Sequence, residues 1–187
     1  EFWHSDGIAQ VEADGWQAPL YWRKDEKGEW AEFTYSGLCP IYYDAPVCHL
    51  SFYEAAAYAA WAGRRLPTEQ EWEVAAKYFG VADRPGAGAN QMASGYLRPI
   101  PSGDADPDAP SGMLGDVWEW TQSAYSPYPS FKPPHGAVGE YNGKFMINQM
   151  VLRGASCLTP AGHARITYRN FFYPYQRWQA AGFRLAE

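Results

Sequence analysis

Apolar positions recur along the chain at two different periods. At helical spacing, Phe52–Ala62 forms one run. Ser51 can cap it, Glu54 three residues on completes a capping box, and Gly63 stops it. Thr68-Glu69-Gln70-Glu71 is a second capping box and opens a helix over Glu69–Phe79, ended by Gly80. Trp72, Ala75, Ala76 and Phe79 put its apolar residues on one face. Strand-like alternation is found elsewhere. Gln17–Trp22 reads as a short strand, the charged segment Lys24–Glu29 as a turn reversed at Gly28, and Trp30–Tyr35 as a half-buried partner strand. Val117–Thr121, Met150–Arg153 and Gly182–Ala186 are three further strands. Residues 81–113, rich in Gly, Pro and Asp, and residues 123–146, rich in Tyr, Phe and Pro, carry no period and read as long loops. No internal repeat is visible. The expected architecture is α+β, two main helices against a small twisted antiparallel sheet with much irregular loop.

Composition narrows this picture. At 187 residues the chain has the length of one domain. Aromatic residues make up 17% of it, including 9 Trp and 14 Tyr, a load that goes to a core or a ring-lined pocket. The net charge of −6 offers no basic patch for phosphates, which argues against nucleic-acid and anionic-membrane partners. No apolar run reaches the roughly 18–20 residues that span a bilayer. Cys39, Cys48 and Cys157 lack CxxC spacing and read as free thiols of a reducing, cytoplasmic compartment. Cys157 is either a reactive thiol or a small buried hydrophobe.

Four blocks then occur in a distinctive order: Gly63-Arg64-Arg65-Leu66-Pro67-Thr68-Glu69-Gln70-Glu71-Trp72-Glu73, Gly115-Asp116-Val117-Trp118-Glu119-Trp120, Leu152-Arg153-Gly154-Ala155-Ser156, and Gly182-Phe183-Arg184-Leu185. In this order the chain resembles the formylglycine-generating-enzyme (sulfatase-modifying-factor) family, whose fold is a variant of the C-type lectin fold. Residues 1–187 would then form a single such domain. Formylglycine generation itself uses two cysteines after the Gly-Gly-Ser turn to bind copper. Here Ser156–Arg165 holds Cys157 alone, and a soft-metal site needs two convergent thiolates.

Ala137–Phe145, Arg165–Trp178 and the opening Phe2–Gly7 look like the sulfoxide synthase branch of ergothioneine biosynthesis. That resemblance implies oxygen-dependent joining of a cysteine-type thiol to Nα-trimethylhistidine, with the sulfur oxidised to a sulfoxide. The branch holds Fe(2+) on three histidines of an N-terminal helical bundle. This chain has only His4, His49, His135 and His163, with no pair four residues apart, so the iron ligands are expected before Glu1, in a longer protein. What the resemblance leaves to this chain is substrate geometry. Asn170, Phe171, Phe172 and Tyr173 would face the iron centre, their rings suited to a quaternary ammonium by cation–π attraction. Arg165, Arg169 and Arg177 could clamp a carboxylate, or serve internal salt bridges. Tyr141 is a candidate proton donor. In a branch that uses γ-glutamylcysteine, Trp and Asp follow the Asn. Phe171 and Phe172 stand there instead, which favours free cysteine as the sulfur donor. Gly115, Val117 and Glu119 match a calcium position of the fold, the alternative being that Glu119 pairs with an arginine in a buried network. A non-catalytic lectin-like binding module remains the competing function.

Overall fold

The computed structural model describes residues 1–81, 89–103 and 108–187, except the side chains of Tyr141 and Asn142. The expected loop over 81–113 therefore lies partly outside the described residues.

Both capping boxes form. Ser51 Oγ accepts from the Glu54 N–H at 3.1 Å, and the Glu54 carboxylate accepts from the Ser51 N–H at 2.8 Å, opening α2 (Phe52–Trp61). Thr68 and Glu71 do the same for α3 (Glu69–Tyr78). Two further helices were not expected, and the second lies where loop was expected. α1 (Ser5–Asp14) packs through Gly7, where a Cβ would stand 2.9 Å from Tyr53 Cβ, and ends at Gly15 in the left-handed region. α4 is Ala137–Lys144. Neither has a side-chain cap, and α4 contains two glycines, so the local signals that mark α2 and α3 are missing.

The strands form two sheets. β1 (Trp22–Lys24), β2 (Trp30–Thr34) and β3 (Gly37–Pro40) make an antiparallel meander, with Trp22 opposite Glu32 and Gly28 turning at φ 83. β1 begins only at Trp22, because the pairing with β2 ends at Glu32 and the segment before it carries Pro19. β4 (Trp118–Ala124), β5 (Met150–Gly154), β6 (Asn170–Phe172) and β7 (Ala181–Phe183) make the second sheet, in the order β6-β5-β4-β7. β4–β5 and β5–β6 are antiparallel, whereas β7 runs parallel to β4. The sheet is therefore mixed, while the α+β class stands.

The core sits between α2 and this sheet. Phe52, Ala55, Ala59, Trp118, Trp120 and Leu152 pack there, and the buried Trp120 indole donates to the Leu50 carbonyl at 2.9 Å. Arg153 is fully buried on β5 and is held by Glu73 and the Ile166 and Thr167 carbonyls, so its charge is compensated. Among the described residues no helix is long and apolar enough to cross a membrane.

Candidate substrate cleft

Residues 170–172 pair with β5 in a fixed register, Asn170 opposite Leu152 and Phe171 opposite Val151. β5 is buried, so β6 is an edge strand backed by the core, and its half-buried side chains face a cleft of about 570 Å³. Lining it are Asn170, Phe171, Phe172, Tyr173, Arg165 and Arg169, together with Tyr125, Phe145 and Gln149 from the strand–loop segments beside it. The structure thus brings together six of the seven candidate substrate residues expected from the sequence, Arg177 being the exception.

Their states differ. Asn170 Oδ1 accepts from the Phe171 N–H at 3.0 Å, which orients the amide. The Phe171 ring stacks on Tyr125 with centroids 4.2 Å apart and 8° between planes. Phe172 meets Trp178 edge-on at 5.0 Å, and the Tyr173 N–H donates to Gln176 Oε1 at 3.0 Å. Arg169 is committed: Nε and Nη2 each donate to the Glu69 carboxylate at 2.8 Å, and Nη2 also donates to the Ser126 carbonyl. Its guanidinium lies over Tyr125 at 4.8 Å and Tyr128 at 4.3 Å. Tyr128, Arg169, Tyr125 and Phe171 therefore form one stacked column tied down at Glu69, a contact 100 residues away in sequence that local pattern does not reveal. Arg165 is exposed, lies over Tyr168 at 5.5 Å and has no carboxylate partner among the described residues. Arg177 is buried elsewhere, against Glu54, the Ala18 carbonyl and the Trp16 ring. Tyr141 belongs to α4, but its side chain lies outside the described residues.

At Gly115–Glu119 the carboxylate takes the arginine pairing. Arg184 donates to both Glu119 oxygens at 2.5 and 2.6 Å, and the Trp72 indole donates to one of them at 2.7 Å. The Gly115 carbonyl accepts from the Val117 N–H at 2.7 Å. A calcium ion wants six to eight oxygens, and this geometry leaves it no free carboxylate at Glu119 beside a guanidinium of like charge. Asp116 accepts from Asn90 Nδ2 and the Ile100 N–H.

The histidines do not converge. His4 stacks on Phe52, His49 stands edge-on to Tyr21, His163 lies tilted against Tyr168, and His135 is exposed. Among the described residues no group of three His, Cys, Asp or Glu could hold a metal ion. An iron on three imidazoles does not fit this chain's own residues. Cys157 is buried, and burial foremost, with Asp116 adding to it, pushes its thiol up to about 12, so it is no ready thiolate.

An α+β scaffold whose short edge strand, with Tyr173 just after it, presents an amide and three rings to a cleft now stands beside known proteins. Residues 7–187 match the sulfatase-modifying factor enzyme 1-like domain, and the chain belongs to that family. It is 37% identical to the hercynine oxygenase of Mycolicibacterium smegmatis and 38% identical to that of Mycobacterium tuberculosis. In each case 99% of this chain and 46% of the relative are covered. The chain thus spans about half the length of these curated relatives. The formylglycine-generating enzyme of Mycobacterium tuberculosis is 35% identical over 49% of this chain and 38% of its own. A crystal structure of CarF has the same fold, with a TM-score of 0.56 at 20% identity, covering 99% of this chain and 82% of that one.

Proposed function

We propose that this chain is the substrate-facing part of an iron-dependent oxygenase that joins a cysteine-type thiol to hercynine, the Nα-trimethyl betaine of histidine, as a sulfoxide. What carries the reading is the cleft at β6, in a chain that is 37–38% identical to hercynine oxygenases over 99% of its length. A trimethylammonium group cannot donate a hydrogen bond, so it is recognised by ring faces, each contact worth about 0.5–2 kcal/mol. Phe171, Phe172 and Tyr173 supply rings, and the oriented Asn170 amide supplies a polar partner. Arg165, the cleft guanidinium outside an ion pair, takes a substrate carboxylate. Arg169 positions Tyr125 and Phe171 from behind.

Iron ligation falls to residues outside this chain, in the part of the protein that the relatives' greater length represents. The chain's own work is to bind and orient the substrate and to wall the cleft against water. Tyr141, on α4, is kept as the candidate proton donor. Steady-state kinetics of the full-length protein test this assignment. Phe171→Ala raises KM for hercynine by roughly tenfold, about one lost ring contact, and leaves KM for the thiol near its starting value. Equal increases in both would make Phe171 a packing residue and remove the basis of the reading.

A further inference from the structure

A second cleft, of about 450 Å³, opens between β2 and the segment around Leu97–Pro99 and shares no lining residue with the first. Its walls are aromatic: Tyr21, Phe33, Tyr35 and Trp178. Two groups of opposite charge line it, and neither is spent on an ion pair. Glu32 is half-buried on β2, and its carboxylate has no hydrogen-bond or ion-pair partner among the described residues. Arg98 lies over the Tyr42 ring at 4.1 Å, and its guanidinium makes no ion pair among the described residues. Burial raises the Glu32 carboxyl above the ordinary carboxylate range, and Arg98 only opposes that rise. A half-desolvated carboxylate that makes no hydrogen bond or ion pair, with only the field of Arg98 to offset its burial, is costly, and a bound cation would relieve the cost.

The backbone points the same way. Five non-glycine residues among those described have positive φ, and two of them, His49 at 62 and Leu97 at 52, line this cleft. Such conformations are strained and gather at ligand sites. The His49 ring stands edge-on to Tyr21 at 4.5 Å, fixing one wall.

We propose that this cleft binds a small amino acid with a flat apolar side chain, Glu32 taking the ammonium, Arg98 the carboxylate, and the four rings the body. Trp178 links this site to the first one, because its outer wall is the ring that meets Phe172 edge-on.

Calorimetric titration of the full-length protein tests the site, with L-phenylalanine as probe and phenethylamine and 3-phenylpropionate as analogues each lacking one charge. Phenylalanine is expected to bind at least roughly tenfold more tightly than either analogue, the loss expected for one charge-assisted contact. Glu32→Gln should remove the advantage over phenylpropionate, and Arg98→Gln the advantage over phenethylamine. Asn170→Ala, in the other cleft, should leave binding intact. Should the Glu32 variant fail to fold, Tyr35→Ala, at a ring 77% exposed, thins a wall without touching the core and should weaken binding several-fold. The proposal is overturned by absence of saturable binding at millimolar phenylalanine, by equal affinity for all three probes, or by loss of binding in Asn170→Ala alone. None of these outcomes bears on the hercynine reading.

Discussion

At the Glu119 carboxylate three donors converge, two from Arg184 and one from the Trp72 indole, with only 4% of the Glu119 side chain exposed. Glu119→Ala leaves a guanidinium and an indole N–H without their acceptor, a loss of about 3 kcal/mol. Urea denaturation should show it as a lower midpoint at unchanged slope. A variant as stable as the parent would mean the network contributes nothing. Phe172 carries a prediction of another kind. In place of an acid it presents a ring to the cleft, packed against Trp178. In the full-length protein, Phe172→Asp should move the ratio of specificity constants from cysteine toward γ-glutamylcysteine. If the parent already prefers γ-glutamylcysteine, the donor assignment fails. Residue identities such as Asn170 and Glu119 were legible in the sequence as motif members, but residue roles were less so. Arg165 and Arg169 look alike in the chain. Only the folding of Glu69 against Arg169 separates the committed guanidinium from the available one.

Elements were legible where the signal was local. α2 and α3 were announced by capping boxes, Ser51 with Glu54 and Thr68 with Glu71, whose two partners lie three positions apart. α1 and α4 were not, since what holds α1 is the contact of Gly7 with Tyr53, far along the chain. The parallel pairing of β7 with β4 is likewise a long-range choice, which the alternation within Gly182–Ala186 does not encode. The α3 cap also makes a prediction about pH. Arg65 donates twice to Glu71, and these bonds first, then the Thr68 N–H, bring the Glu71 carboxyl down to about 2 from the ordinary 4.5. A carboxyl depressed in the folded state stabilises it fully above the unfolded value and loses that effect as pH falls through the folded one. The contribution is therefore complete above about pH 4.5 and fades toward pH 2, and exposure to solvent keeps it small. Melting temperatures of Glu71→Gln and the parent should differ at neutral pH and converge near pH 2; a constant difference would place the effect elsewhere. The stacked column makes a second test at this scale. Arg169→Met removes the Glu69 tie and should raise KM for hercynine several-fold, while Arg169→Lys, which keeps the charge but loses the planar stack, should rescue it only in part.

At the scale of the molecule, a mixed sheet backs an edge strand whose side chains line one cleft, and none of the chain's own histidines lines it. The fold class could be read from the ordered motifs because those motifs are the core strands and caps themselves. The cleft could be read only as a run of residues, 165–173. Its depth comes from Tyr125, Phe145 and Gln149, which no local pattern ties to that run. The central claim is that this surface serves oxygen-dependent chemistry on hercynine, with the metal held elsewhere in the protein. Oxygen uptake by the full-length protein, reconstituted anaerobically with ferrous iron and then given oxygen, hercynine and cysteine, tests it most directly. The account predicts oxygen consumption that requires both substrates and falls sharply in Phe171→Ala at subsaturating hercynine. Iron-loaded protein that consumes no oxygen in response to the two substrates would contradict it.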